Sequence, residues 1–265
     1  MDKGTLFNDK IHTIYQLNTN TYRIDEASIA NCYLLLGENK ALLIDSGLGV
    51  GDLYGTIRSI TNLPITLVLT HNHCDHSGGR FAFKEYYFAR EDNKLCYNFL
   101  SSKLACKILL KSRKMTNLKL SKRKYHPNKI LIDDNYIFDL GNRKIKCLNY
   151  PGHTEGSIVL IDESNKYIFT GDNLCPWLWL QLPGCKDLST WINSANEILK
   201  ISKGYNIFSG HGDGVILVKN VETLLDEAHE ILKLGKKHFK KHIVIYPNKD
   251  LYNGINISVK RSNIK

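Results

Sequence analysis

The chain lacks the features that direct a protein to a membrane or to a disulfide framework. Its 265 residues contain no run of about eighteen consecutive apolar residues, and its start, Met1-Asp2-Lys3-Gly4, lacks the charged-then-apolar pattern of a signal peptide. Its seven cysteines are odd in number and form no Cys-x-x-Cys pair, which argues against paired disulfides. We therefore predict a cytoplasmic protein with no membrane segment.

Acidic residues are also scarce relative to basic ones. There are 26 Asp and Glu against 36 Lys and Arg, which gives a formal net charge of +10. Much of the excess lies at 111–129, including Lys122-Arg123-Lys124, and such a segment attracts phosphates or other anions. A solvated basic surface is the favoured interpretation, so nucleic acid stays a less favoured partner. Length and a 43% hydrophobic content allow one large core, and we predict one domain over 1–265.

The most informative segment is His71-Asn72-His73-Cys74-Asp75-His76, which follows the apolar run Ile65 to Thr70. It places four metal-binding side chains within six residues, and these cannot all face one ion. Imidazole and carboxylate groups suit zinc and its first-row neighbours. A rigid turn after a strand can aim His71 and His73 at one ion, and Asp75 and His76 at another. The segment thus predicts a site for two metals.

Two metals need further ligands, and three later segments supply them in the same way. His153 stands in Pro-Gly-His-Thr, Asp172 in Thr-Gly-Asp and His211 in Gly-His-Gly, each after a strand-like run. A neighbouring glycine lets the backbone turn tightly near an ion. Strand ends followed by loops are common positions for functional groups. These segments extend the predicted site to the second half of the chain.

The order of these motifs resembles the metallo-β-lactamase superfamily, with a ligand pattern similar to that of glyoxalase II. The resemblance runs from about Asn31 to His211. It implies that the first metal is held by His71, His73 and His153. It implies that the second is held by Asp75, His76 and His211, with Asp172 bridging. The resemblance also implies that Asp45, at the end of Ala41-Leu42-Leu43-Ile44, supports the site from behind the ligands.

Apolar periodicity predicts two sets of strands. The first contains Ile11 to Leu17, Asn31 to Leu36 and Lys40 to Asp45, which we expect to be successive antiparallel strands, and then Ile65 to Thr70. The second contains Arg143 to Tyr150, Ser157 to Asp162, Lys166 to Thr170 and Tyr205 to Phe208. Helical stripes begin at Trp191 and at Val221. We predict an αββα four-layer sandwich of two mixed β-sheets with outer helices, the metallo-β-lactamase fold, with the metals where strand ends meet.

Two segments bear on the substrate. A basic helical insertion is predicted at about 90–130, with Leu104, Ala105, Ile108 and Leu109 on its apolar face. The apolar run after Asp172 contains Trp177 and Trp179, and alternation on a strand would place both rings on one face. We predict that these rings form an apolar wall for a substrate, although packing beneath the loop explains them nearly as well.

We predict a hydrolase that carries two divalent first-row metal ions. Zinc is favoured, and iron and manganese are alternatives. Metal coordination lowers the pKa of water from 15.7 to about 7, so a hydroxide bridging the two ions would be the nucleophile. Asp75 and Asp172 would orient it. The expected substrate is a small ester, thioester or lactone-like molecule. The alternatives are a metal-dependent phosphodiesterase or ribonuclease and a metal-binding protein without turnover, while the oligomeric state is not predicted.

Overall fold

The computed structural model describes residues 5–97, 102–247 and 256–265, which form two large β-sheets, a small third sheet and five α-helices. The helices are α1 (Leu53–Arg58), α2 (Cys74–Ser77), α3 (Lys103–Ser112), α4 (Leu188–Ile201) and α5 (Val218–Leu234). Short 3-10 helices cover Gly78–Ala82, Arg90–Tyr97 and Arg261–Asn263. No helix in these described ranges is long and apolar enough to cross a bilayer.

The first sheet has eight strands in chain order. They are β1 (Thr5–Asn8), β2 (His12–Asn18), β3 (Thr21–Glu26), β4 (Ala30–Leu36), β5 (Ala41–Ile44), β6 (Ile65–Val68), β7 (Glu85–Ala89) and β8 (Asn128–Ile132). Neighbours are antiparallel from β1 to β5 and parallel from β5 to β8. Parallel neighbours bring the carboxyl ends of β5 and β6 to the same edge, where Asp45 and His71 follow.

The second sheet has the order β15-β14-β12-β11-β10-β9. Its strands are β9 (Ile137–Asp139), β10 (Lys144–Asn149), β11 (Ile158–Asp162), β12 (Tyr167–Phe169), β14 (Asn206–Phe208) and β15 (Val215–Ile216). Only β12 and β14 are parallel neighbours among these described strands, so Asp172 and His211 follow strands that end at one edge. The third sheet contains β13 (Leu178–Leu180), β17 (Asn256–Lys260) and β16 (Ile243–Pro247).

Three apolar clusters show how the layers pack. Leu42 and Ile44 of the first sheet meet Leu160 and Phe169 of the second in a core between the sheets. The opposite face of the first sheet packs against α1, and that of the second packs against α4 and α5. Because each sheet buries both faces, the layers follow the order helix, sheet, sheet, helix. The predicted αββα sandwich of mixed sheets is confirmed, whereas the single-domain boundary of 1–265 stays a prediction.

Two local expectations were wrong. Strands β2 and β4 are not neighbours, because β3 lies between them and pairs with both. Its sequence, Thr-Tyr-Arg-Ile-Asp-Glu, alternates polar and apolar residues but is buried on both faces. On α3, Leu104 does not share a packed face with Ala105: its side chain is 57% exposed, and Cys106 and Leu110 are buried instead. The predicted helical period of α3 was correct, but periodicity could not show which face of the helix packs against the rest of the protein.

A buried arginine joins the two large sheets. The guanidinium group of Arg143 donates to the carboxylate of Asp162, to the hydroxyl of Thr21 and to the backbone oxygens of Asn20 and Leu36. Arg143 precedes β10 in the second sheet, whereas Asn20, Thr21 and Leu36 belong to the first. Both charged side chains are almost completely buried, so each depends on the other for charge compensation.

Removing one partner of this pair should destabilise the fold. We expect Arg143→Met to lower the free energy of unfolding by about 3–5 kcal/mol, because it leaves the buried Asp162 carboxylate uncompensated. Urea denaturation measures the change. The control is Arg90→Met, which breaks the exposed pair with Asp133 and should have little effect. Equal stability of Arg143→Met and the wild type would contradict the proposed link between the sheets.

Candidate metal centre

Seven polar side chains from both sheets meet at one edge of the sandwich. His71 and His73 follow β6, and Asp75 and His76 lie in the single turn of α2. The other three, His153, Asp172 and His211, follow β10, β12 and β14. All seven residues that the sequence analysis selected as metal ligands are therefore brought together. Their roles as ligands stay a prediction.

Three overlapping groups of these side chains have the spacing of metal sites. Potential ligand atoms lie within 4.8 Å of one another in the sets His71-His73-His153, His71-His76-Asp172 and Asp75-His76-His211. The closest pair is Nε2 of His153 and Nδ1 of His73, at 2.9 Å. The carboxylate of Asp172 lies between the first and the last of these sets: its Oδ2 is 3.7 Å from Nε2 of His153 and 3.0 Å from Nε2 of His211. This is the arrangement that a bridging carboxylate requires.

The other ring nitrogen of several histidines is held by a polar atom from a distant element. Nδ1 of His153 lies 2.9 Å from the backbone oxygen of Trp179, and Nδ1 of His211 lies 2.7 Å from that of Ile29. A carbonyl oxygen can only accept a hydrogen bond, so Nδ1 carries a proton in both rings, which leaves Nε2 as the nitrogen that can bind a metal. The surrounding protein therefore prepares Nε2 of these two histidines to bind a metal.

Asp45 supports a third histidine. Its Oδ2 lies 2.8 Å from Nδ1 of His76 and accepts a hydrogen bond from the hydroxyl of Thr70 at 2.8 Å. Its Oδ1 accepts the backbone N–H of Thr70 at 2.7 Å. Asp45 lies directly after β5 with φ of +62°, a strained conformation for this residue, and several contacts hold it there. Its predicted position behind the ligands agrees with these contacts.

The electrostatic environment separates the histidines into two groups. Burial, together with the nearby imidazoles, lowers the pKa of His71 well below its usual value and that of His73 to about 3; burial also lowers the pKa of His153. Burial opposes charge on His76 and His211 too, but the Asp172 carboxylate outweighs it and raises their pKa values. In turn, these two histidines lower the pKa of Asp172 despite its burial. Neutral imidazoles and ionised carboxylates are the forms that bind metals.

The cluster fits divalent metal ions better than it fits a network of hydrogen bonds. Nδ1 of His71 meets the hydroxyl of Thr70, but its buried Nε2 has no hydrogen-bond partner among the described residues. Nδ1 of His73 meets Nε2 of His153, another imidazole nitrogen, at 2.9 Å. Buried nitrogens rarely stay unpaired without a reason, and five imidazoles cannot satisfy one another once most are neutral. Divalent ions would provide the missing interactions with groups of this chemistry.

The sequence analysis missed Asp92, which joins two of the loops that carry the cluster. Its buried carboxylate accepts the backbone N–H of Asn72 at 3.0 Å, the hydroxyl of Thr154 at 3.0 Å and the backbone N–H of Gly156 at 2.8 Å. Burial raises its pKa to about 6. Asp92 lies within the predicted basic insertion. The sequence signal that could have indicated its role is an acidic residue just after the apolar run of β7.

A cavity of about 210 Å³ opens over the cluster. Its lining includes His73, Asp75, His153, Asp172 and His211 from the cluster, Ala105, Ile108, Leu109, Ser112 and Arg113 from α3 and its end, and Cys74, Trp177, Trp179 and Leu182. Both tryptophans line this cavity, and the ring of Trp177 lies 5.6 Å from that of His211. Trp179 is 40% exposed between two buried leucines of β13. A substrate wall made by the two rings stays a prediction with suitable geometry.

Comparison with known proteins agrees with this geometry. A family model described as the metallo-beta-lactamase superfamily matches residues 26–92, which include Asp45 and the four ligands of the first motif. This part of the chain is similar to the metallo-β-lactamase superfamily. Solved members share its fold: ST1585 from Sulfolobus tokodaii has a TM-score of 0.58 at 21% identity and covers 88% of this chain and 91% of its own. TTHA1429 from Thermus thermophilus has a TM-score of 0.62 at 17% identity, and the match covers 88% of this chain and 85% of TTHA1429.

The curated proteins that resemble this chain include enzymes named for thioester substrates. The human acyl-coenzyme A thioesterase MBLAC2 is 30% identical over 174 residues, which are 56% of this chain and 61% of the relative. The hydroxyacylglutathione hydrolase GloC of Haemophilus influenzae is 28% identical over 153 residues, which are 54% of this chain and 66% of GloC. The chain thus spans about three fifths to two thirds of these relatives. The glyoxalase II-like ligand pattern agrees with the match to GloC.

Changing the support of one histidine should weaken metal binding. In Asp45→Asn, we expect the new amide to donate to Nδ1 of His76, which shifts the ring proton to Nε2 and removes the lone pair needed by a metal. The loss in zinc affinity should be about 10–100-fold, measured by competition with a chromophoric chelator. Asp52→Asn, which alters the N-cap of α1, is the control and should bind zinc normally. Unchanged affinity in Asp45→Asn would contradict the assigned role.

Proposed function

We propose that the chain is a metal-dependent hydrolase that cleaves the acyl bond of a small thioester. The carrying observation is that one cavity combines the buried histidine and carboxylate cluster with an apolar wall. The names of the relatives, acyl-coenzyme A thioesterase and hydroxyacylglutathione hydrolase, support a thioester over the ester and lactone-like alternatives.

Two divalent ions would be held by the seven clustered residues. The first set is His71, His73 and His153, and the second is Asp75, His76 and His211, with Asp172 shared between them. Zinc is favoured because it suits imidazole and carboxylate ligands, and iron and manganese accept the same groups. When bound, such ions supply a water molecule of lowered pKa and a Lewis acid for the acyl oxygen.

The chain's own residues would place the reacting groups. Asp75 and Asp172 retain slight solvent exposure, 18% and 12% of their side chains, so their carboxylates can accept hydrogen bonds from an attacking water. Oδ2 of Asp75 lies 3.6 Å from Nε2 of His211, which keeps the two carboxylates on the same side of the cluster. Trp177 and Trp179 would exclude water from the apolar part of the substrate. No serine or cysteine nucleophile is required.

The position of the basic segment favours a small-molecule substrate over nucleic acid. Among the described residues of 111–129, Ser112 and Arg113 at the start of the segment line the cavity, whereas Lys122, Arg123 and Lys124 do not. Two of these three basic groups pack on aromatic rings: the guanidinium of Arg123 lies 4.0 Å from the ring centre of Phe81, and Nζ of Lys124 lies 5.2 Å from that of Tyr54. Binding of phosphates by Lys122, Arg123 and Lys124 would occur away from the cluster. We infer a small-molecule partner. The cytoplasmic location predicted from the sequence stays part of this proposal.

Metal analysis tests the proposed ligand set. We expect the purified chain to carry close to two first-row metal ions, measured by plasma emission. Asp172→Ala should lower the occupancy of both sites, because its carboxylate is shared between them. Asp133→Ala, an exposed aspartate outside the cluster, is the control and should keep the wild-type content. A fully loaded Asp172→Ala protein would contradict the bridging assignment.

Substrate class is tested by two multiple variants on two substrate types. Trp177→Ala with Trp179→Ala should raise KM for an acyl thioester by about tenfold or more, because burying an aromatic ring contributes about 1.5–3 kcal/mol. Reversing the charges of Lys122, Arg123 and Lys124 should leave that KM nearly unchanged. In a phosphodiesterase, the charge-reversal variant would be the more damaging one: its phosphodiester turnover would fall and would depend less on salt concentration. That result would contradict the proposed thioester hydrolysis and favour a phosphodiesterase instead.

A further inference from the structure

The helix α3 presents three different faces to its surroundings. Cys106 and Leu110 are buried against the loop that contains Leu48 and Val50. Ala105, Ile108 and Leu109 line the cavity over the histidine cluster. The remaining face carries the exposed Lys107 and Lys111. These sets follow from the 3.6-residue period, because positions three and four apart share a side of the helix. The helix is therefore a wall of the cavity as well as part of the predicted insertion.

This wall is tied directly to the metal-binding segment. The thiol of Cys106 lies 3.9 Å from the backbone oxygen of Cys74, which stands between His73 and Asp75. The first turn is capped by Ser102, whose side chain accepts the N–H of Ala105. A capped helix that is anchored through its buried face keeps a defined distance from the cluster. Such a wall can discriminate between substrates by length.

Two apolar side chains at the cavity are unusually exposed. Ile108 of α3 is 51% exposed, and Trp179, which lines the same cavity, is 40% exposed. Large apolar groups that converge on a cavity mark a place for an apolar ligand. The cavity is also polarised along α3, since Ala105 lies in the first turn, Ile108 and Leu109 lie in the middle, and Ser112 and Arg113 lie at its end. An apolar chain fits the start and middle of α3 better than its end.

We propose that α3 is the specificity element for the acyl group, with Ile108 setting the length of acyl chain that the cavity accepts. This proposal rests on the proposed thioester hydrolysis. The acyl chain lies between Ile108 and Leu109 on one side and Trp179 on the other, and it extends toward the start of α3. The thioester carbonyl then lies over the cluster. Each methylene group buried there should increase affinity by about fourfold.

The test compares chain-length profiles of hydrolysis for variants of one helix. Ile108→Trp adds bulk to the cavity wall, and Ile108→Ser removes apolar surface from it. We expect both variants to raise KM for octanoyl and decanoyl thioesters by about tenfold or more, and to leave KM for the acetyl thioester within about twofold. Lys111→Trp, which adds the same ring on the exposed face, is the matched control and should keep the wild-type profile. Thermal unfolding and metal content establish that each variant is folded and loaded.

A binding measurement separates this proposal from the proposed reaction. Hexanoate, octanoate and decanoate are titrated into the protein while the fluorescence of Trp177 and Trp179 is followed. The wild type should bind them more tightly as the chain lengthens, and Ile108→Ser should lose that dependence. If no thioester is cleaved but this binding pattern holds, the proposed thioester hydrolysis is wrong and the acyl-chain site at α3 is supported. If thioesters are cleaved and Ile108 variants keep the wild-type length profile, or change all lengths equally, the role of α3 is overturned.

Discussion

Burial of seven histidine and aspartate side chains at one edge of two sheets is the constraint on which the rest of the structure depends. Five imidazoles and two carboxylates in a small buried volume repel or leave one another unsatisfied unless each is fixed by a partner outside the cluster. Those partners come from many elements: Ile29 from the turn before β4, Asp45 from the end of β5, and Trp179 from β13. The sandwich is what brings these distant groups to one place.

Close packing at this edge also explains two of the glycines in the motifs. A Cβ atom on Gly171 would lie 2.4 Å from Oγ1 of Thr70, and φ at Gly171 is +54°. A Cβ atom on Gly210 would lie 2.5 Å from Cε1 of His76 and 2.6 Å from Oδ1 of Asp172. The loops that follow the strands of the second sheet can therefore approach Thr70 and His76 only with glycine at these two positions.

The segment between β7 and β8 serves the cluster in two ways. Near its start, Asp92 joins the loop of Asn72 to the turn of Thr154, so the two halves of the cluster share one buried carboxylate. Further along, α3 covers the cluster and forms part of the cavity wall. A segment whose composition indicated a basic, solvated surface thus contributes a buried acid and an apolar wall. Its lysines remain on the outer face, where they account for much of the net charge.

Features that depend on neighbouring residues could be predicted from the sequence. Alternating or continuous apolar runs indicated most of the strands that deliver ligands, and the motifs around His71, His153, Asp172 and His211 each follow such a run. Only the tertiary structure decided the features that join residues far apart in the chain. The contact of Asp92 with Thr154 spans 62 residues, and that of His211 with Ile29 spans 182. The burial of β3 on both faces and the orientation of α3 belong to the same class, because local periodicity defines faces of an element but not what packs against them.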